Sequence, residues 1–114
     1  MVTRMHLRIT AVLRERDDLR RAPWRGSANL LAGHCYVASE VVYHLWARRA
    51  GYRPATVHHE GAVHWFLIHR DGRLLDLTAS QFSTLPPYAL ARCRGFLTSA
   101  PSKRAMAVLE ALGE

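Results

Sequence analysis

Apolar residues recur at helical spacing in three segments of the chain. The first lies near the N-terminus, the second ends shortly before the centre of the chain, and the third lies at the C-terminal end. The first segment predicts a helix from Thr3 to Arg21. The second predicts a helix from Cys35 to Ala50, which Gly51 ends as a C-terminal cap. In the third, Ser102 is a typical N-cap, and an apolar stripe follows it at Ala105, Val108, Leu109 and Leu112. The pattern therefore predicts three amphipathic helices.

Between the second and third helices the pattern changes to that of β-strands. The predicted strands are Tyr52 to His59, Ala62 to His69, Arg73 to Thr78 and a short Gly95 to Thr98. Pro54 predicts that the first strand lies near an edge or begins late, because proline cannot donate to a sheet ladder. The second strand is apolar on both faces and is predicted to be central. Ala22 to Ala32 and Gln81 to Ala91 are predicted to be irregular connectors. This order of elements predicts one α+β domain over residues 1–114, with an antiparallel sheet.

The composition is that of an ordinary globular domain. With 114 residues, 49% of them hydrophobic and 22% charged, the chain can form one modest core but not two. Its two cysteines, Cys35 and Cys93, do not make a disulfide framework at this size. The N-terminal segment lacks the apolar core of a signal peptide, and no apolar run approaches membrane-spanning length. These features predict a cytoplasmic protein without a membrane segment.

The net charge is +7 and comes almost entirely from fifteen arginines, against a single lysine. A basic balance of this kind favours nucleic acid, phosphate-bearing or acidic partners. Genomic base composition explains an arginine bias equally well. The charge alone therefore leaves one class of function open. In this class the protein is a basic, non-catalytic module that binds nucleic acid or an acidic protein.

A second class of function follows from a thiol, a histidine and an aspartate in that order. Gly33-His34 directly precede the second helical stripe, so Cys35 is predicted in the first turn of a helix. The positive end of the helix and its unpaired N–H groups stabilise a thiolate there and can donate to an oxyanion. His64 is then the candidate base, and Asp76 the residue that orients its ring.

The turn at Asp71-Gly72 decides whether His64 and Asp76 can meet. With a two-residue turn, the two side chains point to opposite faces of the sheet. A three-residue loop, Arg70 to Gly72, instead puts Phe66 opposite Asp76, with the glycine in the left-handed conformation of a bulge. His64 is then a diagonal neighbour of Asp76 on the same face. A carboxylate among apolar residues is costly without a partner, so the sequence predicts the three-residue loop.

Three segments of the chain resemble the transglutaminase-like enzymes of the papain-like cysteine superfamily. They are Gly33-His34-Cys35-Tyr36-Val37, Val63-His64-Trp65 and Arg73 through Gln81, which contains Leu75-Asp76-Leu77-Thr78. The resemblance implies a minimal papain-like core, in which the helix bearing the nucleophile packs on a small antiparallel sheet. It implies catalytic roles for Cys35, His64 and Asp76. His34 stands where the family usually has glutamine. The stretch from Pro23 to Phe82 is also similar to short uncharacterised proteins of actinobacterial phages.

Several other residues are candidates for binding. Those predicted to contact an oxyanion or substrate are Trp24, Asn29, His34, His59 and Trp65. Ser102, Lys103 and Arg104 open the last helix and are candidates for binding a phosphate or carboxylate, although an ordinary capped helix explains them as well. The seven histidines show no zinc-ligand spacing, so no metal is predicted.

The predicted reaction is acyl transfer through a thioester, with hydrolysis of a peptide or amide bond as the first choice. This assigns the chain to peptidases, amidases or deamidases, without a cofactor. The expected partners are a peptide or amide substrate and an acidic or phosphate-bearing partner, whereas a membrane is not expected. Nucleic acid is the partner of the alternative binding module.

Overall fold

A computed structural model describes residues 4–113, which form an α+β domain. Its helices are α1 (Arg4–Arg14), α2 (Cys35–Val42) and α3 (Lys103–Ala111), joined by several short 3-10 turns. Its strands are β1 (Tyr52–His59), β2 (Ala62–His69), β3 (Leu74–Leu75) and β4 (Arg92–Cys93). The strands form one antiparallel sheet in the order β3-β2-β1-β4. The predicted α+β class is confirmed, and so is the central position of β2.

The two faces of the sheet are covered differently. The helices pack against one face, where their apolar stripes meet Leu67 of β2 and Tyr52 of β1 in the main core. The other face carries a smaller apolar cluster, Ala55, Val57 and Phe66, under the segment that contains Tyr88. β2 is therefore buried on both sides, as its continuous apolar sequence indicates.

The helix α2 begins at Cys35, as predicted, and packs on β2. All eight of its residues are buried, because α1 and α3 cover the sides that the sheet does not. After Val42 the helix widens into a π-helical segment, Tyr43–Ala47, before the chain turns into β1. The predicted helix to Ala50 is thus present over most of its length, but its last part is not α-helical.

The loop between β2 and β3 has the predicted length. Leu67 pairs with Leu75 and Ile68 with Leu74, which leaves Arg70 to Gly72 as a three-residue loop. The backbone N–H of Gly72 donates to His69 at 2.8 Å, and Gly72 has a φ of 95°. This positive φ places the glycine in the left-handed region, so the predicted bulge is confirmed.

Three predicted elements differ from the structure. The described part of the first helix ends at Arg14 instead of Arg21, and its predicted first residue lies outside the described residues. The third strand covers only Leu74–Leu75, because the backbone from Asp76 onward turns away from β2. The fourth strand is Arg92–Cys93 and not Gly95 to Thr98.

Pro54 explains why β4 is so short. β1 begins at Tyr52, without delay, and lies second from the edge. β4 pairs with β1 only at Ala55 and Thr56. The carbonyl of Pro54 accepts from the backbone N–H of Arg94, but proline has no N–H to extend the ladder. Pro54 therefore limits the length of the edge strand β4 and does not delay the start of β1.

We expect the Gly72→Ala variant to be less stable than the wild type by about 1 kcal/mol, because a Cβ disfavours the left-handed backbone. Nothing lies within 4 Å of the position that this Cβ would take, so the cost comes from the backbone alone. Urea denaturation gives the free energy of unfolding. Gly72→Asn is the matched control and should lose less, since asparagine tolerates this conformation. Equal stability of Gly72→Ala and the wild type would contradict the bulge.

Candidate active site

His64 and Asp76 form a buried hydrogen bond beside the sheet. His64 Nε2 lies 2.6 Å from Asp76 Oδ2, and the side chains are 0% and 5% exposed. The three-residue loop sets the register that brings them to one face. The contact between the side chains of His64 and Asp76 that the sequence predicted is thus confirmed.

Asp76 has two further partners, which hold its carboxylate in place. The hydroxyl of Tyr88 donates to Oδ2 at 2.7 Å, and the backbone N–H of Thr78 donates to Oδ1 at 3.3 Å. Burial, followed by the bond to this carboxylate, raises the pKa of Tyr88 above its usual value, so the phenol stays a donor. Sequence reasoning did not find this role of Tyr88, because the residue lies in a segment without periodicity.

Cys35 lies at the first position of α2, beside the His64 ring. Its Sγ is 3.9 Å from the carbonyl oxygen of Val63, and the residue is 8% exposed. His64 Nδ1, the ring nitrogen that does not face Asp76, is buried and makes no hydrogen bond of normal geometry within the described residues. That nitrogen is therefore available to take a proton from the thiol.

The surroundings of His64 favour its protonated form. Burial by itself lowers the pKa of this ring, but the hydrogen bond with Asp76, the contact with Cys35 and the charges of both outweigh it. Together they raise the pKa of His64 to about 9. An imidazolium held between a carboxylate and a thiol is the arrangement that stabilises a thiolate.

A narrow crevice leads to Cys35. It offers only about 10 Å³, and its walls come from the connector before α2, the start of β2 and the segment after β3. Trp24 and Arg21 belong to the first wall, Val63 to the second and Phe82 to the third. Trp24 is therefore where the sequence predicted, next to the thiol. Gly33 lets it approach, because a Cβ there would lie 2.7 Å from the Cβ of Trp24.

A buried arginine shapes the connector that carries Trp24. Arg20 is 2% exposed, and its guanidinium donates to the carbonyl oxygens of Trp24, Ser27 and Asn29 as well as to Asp17. Charged side chains are buried only when their donors are satisfied in this way. No pattern in the sequence indicates this role, since Arg20 stands among several exposed arginines.

Glu60 fixes the third wall of the crevice from the turn between β1 and β2. Its carboxylate accepts hydrogen bonds from the backbone and hydroxyl groups of Ser83 and Thr84. The bonds from Thr84 and then Ser83 lower the pKa of Glu60 to about 2. Phe82 is thereby held against the His64 ring, with the ring centroids 4.8 Å apart.

The other predicted contact residues lie around the site in different ways. Asn29 does not line the crevice, but its side-chain amide donates to the carbonyl oxygen of Gln81 at 2.7 Å and so ties two walls together. His59 lies 3.0 Å from Thr84 and packs on Phe82, outside the crevice. Trp65 is buried on the helix side of the sheet, edge-on to Tyr36.

His34 does not face the crevice, contrary to its prediction as an oxyanion or substrate contact. The side chain is 0% exposed and lies in the interior near Leu13 and Arg20. Burial, and then the charge of Arg20, lower the pKa of His34 to about 4. A neutral ring that is enclosed in the interior cannot reach a substrate in the crevice.

The N-terminus of α3 binds a carboxylate that belongs to another helix of the same protein. Glu40 is fully buried in α2 and accepts hydrogen bonds from the Ser102 hydroxyl at 2.6 Å and the Ser102 N–H at 2.9 Å. The start of α3, which the sequence made a candidate for binding a phosphate or carboxylate, is therefore occupied at Ser102 by the carboxylate of Glu40. Lys103 is exposed, and Arg104 donates to the carbonyl oxygen of Leu19.

Two features are absent from residues 4–113. No group of three or more potential metal ligands occurs among them. Within the same residues, no helix has the length and apolar character needed to cross a membrane.

Comparison with known proteins finds no relative. No family model matches the chain, and no curated protein or solved structure matches it significantly.

The raised pKa of His64 predicts a pH dependence of stability. An unfolded histidine titrates near pH 6.5, whereas the folded one titrates at about 9. The stabilisation is therefore complete below about pH 6.5 and is lost as the pH rises through about 9, with at most about 3 kcal/mol involved. Urea denaturation from pH 6 to pH 9.5 measures this fall in the free energy of unfolding.

Asp76→Asn is the informative variant for that measurement. It removes the charge that opposes the effect of burial on His64, so its stability should not fall over the same pH range. His58→Ala, at an exposed strand histidine, is the control and should behave as the wild type. Parallel pH curves for Asp76→Asn and the wild type would show that the pair does not titrate as described.

Proposed function

We propose that the protein is a thiol-dependent acyl-transfer enzyme in which Cys35 is the nucleophile, His64 the general base and acid, and Asp76 the residue that orients His64. The observation that carries the proposal is the buried hydrogen bond between His64 Nε2 and Asp76 Oδ2, which leaves Nδ1 for the thiol. Peptide or amide hydrolysis is the reaction that we favour. This would make the protein a peptidase, amidase or deamidase.

In the first half of the reaction, the thiol proton has passed to His64 Nδ1, as the raised pKa of that ring favours, and Sγ attacks the carbonyl carbon of the substrate as a thiolate. The carbonyl π electrons move to oxygen and give a tetrahedral oxyanion. When the oxyanion collapses, the C–N bond breaks and His64 returns its proton to the leaving amine. The acyl group remains on Cys35 as a thioester.

In the second half, a water molecule gives a proton to His64 and its oxygen attacks the thioester carbon. The C–S bond then breaks, and Cys35 regains its proton from His64. The product is a carboxylic acid. An amine in place of water would complete a transfer instead, but no acceptor-binding feature supports that outcome.

Two features of α2 support the role of Cys35. Position one of a helix has a backbone N–H without an intrahelical partner, which can donate to the oxyanion. The partial positive charge of the helix end also stabilises a thiolate. A fixed donor at this position acts mainly on the transition state, where the oxygen carries negative charge.

The arrangement of the elements supports a relation to the transglutaminase-like and papain-like enzymes. The thiol begins a helix that packs on β2, and the histidine and aspartate come from β2 and the end of β3 in the order Cys, His, Asp. These are the expectations that the sequence motifs raised.

Alkylation with uncharged iodoacetamide at pH 7 tests the nucleophile. Cys35 should react at least about tenfold faster than Cys93, even though Cys93 is exposed and Cys35 is buried. His64→Ala should abolish the difference, whereas the control His58→Ala should keep it. Peptide mapping by mass spectrometry measures the two rates in one sample.

Acylation by p-nitrophenyl acetate completes the test. We expect one equivalent of nitrophenolate in a burst and an acetyl group on Cys35, both lost in Cys35→Ala. Equal reactivity of the two thiols together with no acetyl adduct on Cys35 would refute the proposal that the protein is an acyl-transfer enzyme. The basic binding module would then be the better explanation of the sequence.

A further inference from the structure

A second cavity adjoins the crevice at Cys35. It has a volume of about 400 Å³, which lies in the range of about 300–1,000 Å³ typical of ligand pockets. Arg21 and Val63 line both the cavity and the crevice, so the two are neighbours. The crevice itself has room for about one water molecule. A substrate larger than its reacting group must therefore extend beyond the crevice, and this cavity is the neighbouring space of sufficient size.

Three arginines line this cavity, Arg21, Arg94 and Arg104. They come from three distant parts of the chain: the connector before α2, the segment after β4 and the helix α3. Within the described residues none of them is paired with a carboxylate, whereas Arg16, Arg20 and Arg73 all are. Three like charges around one cavity repel one another, and an anionic ligand removes this cost.

Within residues 4–113, the contacts of these arginines leave most of their N–H donors without a protein partner. Arg94 lies over the ring of Trp65, with its guanidinium carbon 5.5 Å from the ring centroid. Arg104 donates a single hydrogen bond, to the carbonyl oxygen of Leu19. A guanidinium has five N–H donors arranged for bidentate binding of a carboxylate.

A tyrosine hydroxyl adds a neutral donor. Tyr36 lines the cavity, directly after the nucleophile in sequence, and its oxygen accepts from the backbone N–H of Leu97 at 2.7 Å. The proton of the same hydroxyl remains free for a ligand. Tyr36 and Trp65 are 7% and 6% exposed, so they form a wall of the cavity and not a flat surface on which bases could stack.

From this geometry we infer that the cavity binds a carboxylate of the substrate, and that the enzyme acts on acidic peptides. The inference deepens the proposed function and rests on it. The carboxylate belongs either to an acidic side chain or to a peptide C-terminus, since the arginines recognise the same chemical group in both. A concave site next to the reacting thiol favours a peptide over an extended nucleic acid strand.

The ratio of two alkylation rates tests the cavity. Iodoacetate carries a carboxylate and iodoacetamide does not, so their rate ratio at Cys35 reports carboxylate attraction and cancels the intrinsic reactivity of the thiol. Arg21→Gln and Arg94→Gln should each lower this ratio by about fivefold at low salt. Arg70→Gln removes the same charge from the exposed loop at the far end of β2 and should leave the ratio unchanged. An equal fall in Arg70→Gln, or none in the cavity variants, would overturn the inference.

Peptide binding to the Cys35→Ala protein gives a second readout without turnover. Calorimetry compares three N-acetylated alanine pentapeptides: one with a central Glu and an amidated C-terminus, its Gln counterpart, and the Gln counterpart with a free C-terminal carboxylate. At least one carboxylate peptide should bind about tenfold more tightly than the uncharged one, and Arg21→Gln should remove the difference. Which carboxylate is preferred identifies its source. Equal affinities would refute the inference.

The same protein is also titrated with a short oligothymidylate. Binding that is tighter than that of the acidic peptides and lost in Arg21→Gln would overturn the inference in favour of nucleic acid. An inert Cys35 with selective peptide binding would refute acyl transfer and retain the carboxylate site. A reactive Cys35 without selectivity would refute the carboxylate site alone.

Discussion

The hydrogen bond between His64 and Asp76 depends on the register of the β2–β3 hairpin, and the rest of the site depends on that bond. Side chains alternate along a strand, so a shift of one residue would move Asp76 to the opposite face from His64. The three-residue loop prevents that shift. Once the pair has formed, one ring nitrogen is engaged by the carboxylate and the other is left beside the thiol of Cys35. A short loop therefore determines the orientation of a side chain that is fully buried.

Three charged side chains, of which Arg20 and Glu40 are buried, hold the segments around this pair in place. Arg20 holds the connector before α2 through carbonyl oxygens, and Glu40 in α2 binds the N-terminus of α3. Glu60 does the same for the segment after β3 from the turn at the other end of β2. A charge removed from water is costly unless its hydrogen bonds are replaced. For Arg20 and Glu40 this cost is offset by their hydrogen bonds, and the partners of all three charges belong to segments outside the α-helices and strands, which gain a fixed position in this way.

The site and the neighbouring cavity differ in polarity and in size. The crevice at Cys35 is narrow and mostly apolar, whereas the larger cavity presents three arginines and a tyrosine hydroxyl. Binding energy from a remote group of the substrate can be used to hold the reacting carbonyl near the thiol. Under the proposed function, three of the arginines bind substrate at this cavity, irrespective of whether genomic base composition explains the other arginines.

The sequence by itself determined the elements that local patterns encode. Apolar spacing identified the helix that begins at Cys35 and the central strand β2, and an Asp-Gly turn with one more residue predicted the bulge at Gly72. These features depend on neighbours within a few positions, so the pattern contains them. Tyr88, Arg20 and Glu40 act through contacts with residues that are distant along the chain or through backbone of irregular segments, for which no periodicity exists. The interior position of His34 and the convergence of Arg21, Arg94 and Arg104 were likewise decided only by the tertiary structure, because packing of α1 and α3 against α2 determines which side chains are enclosed and which share a cavity.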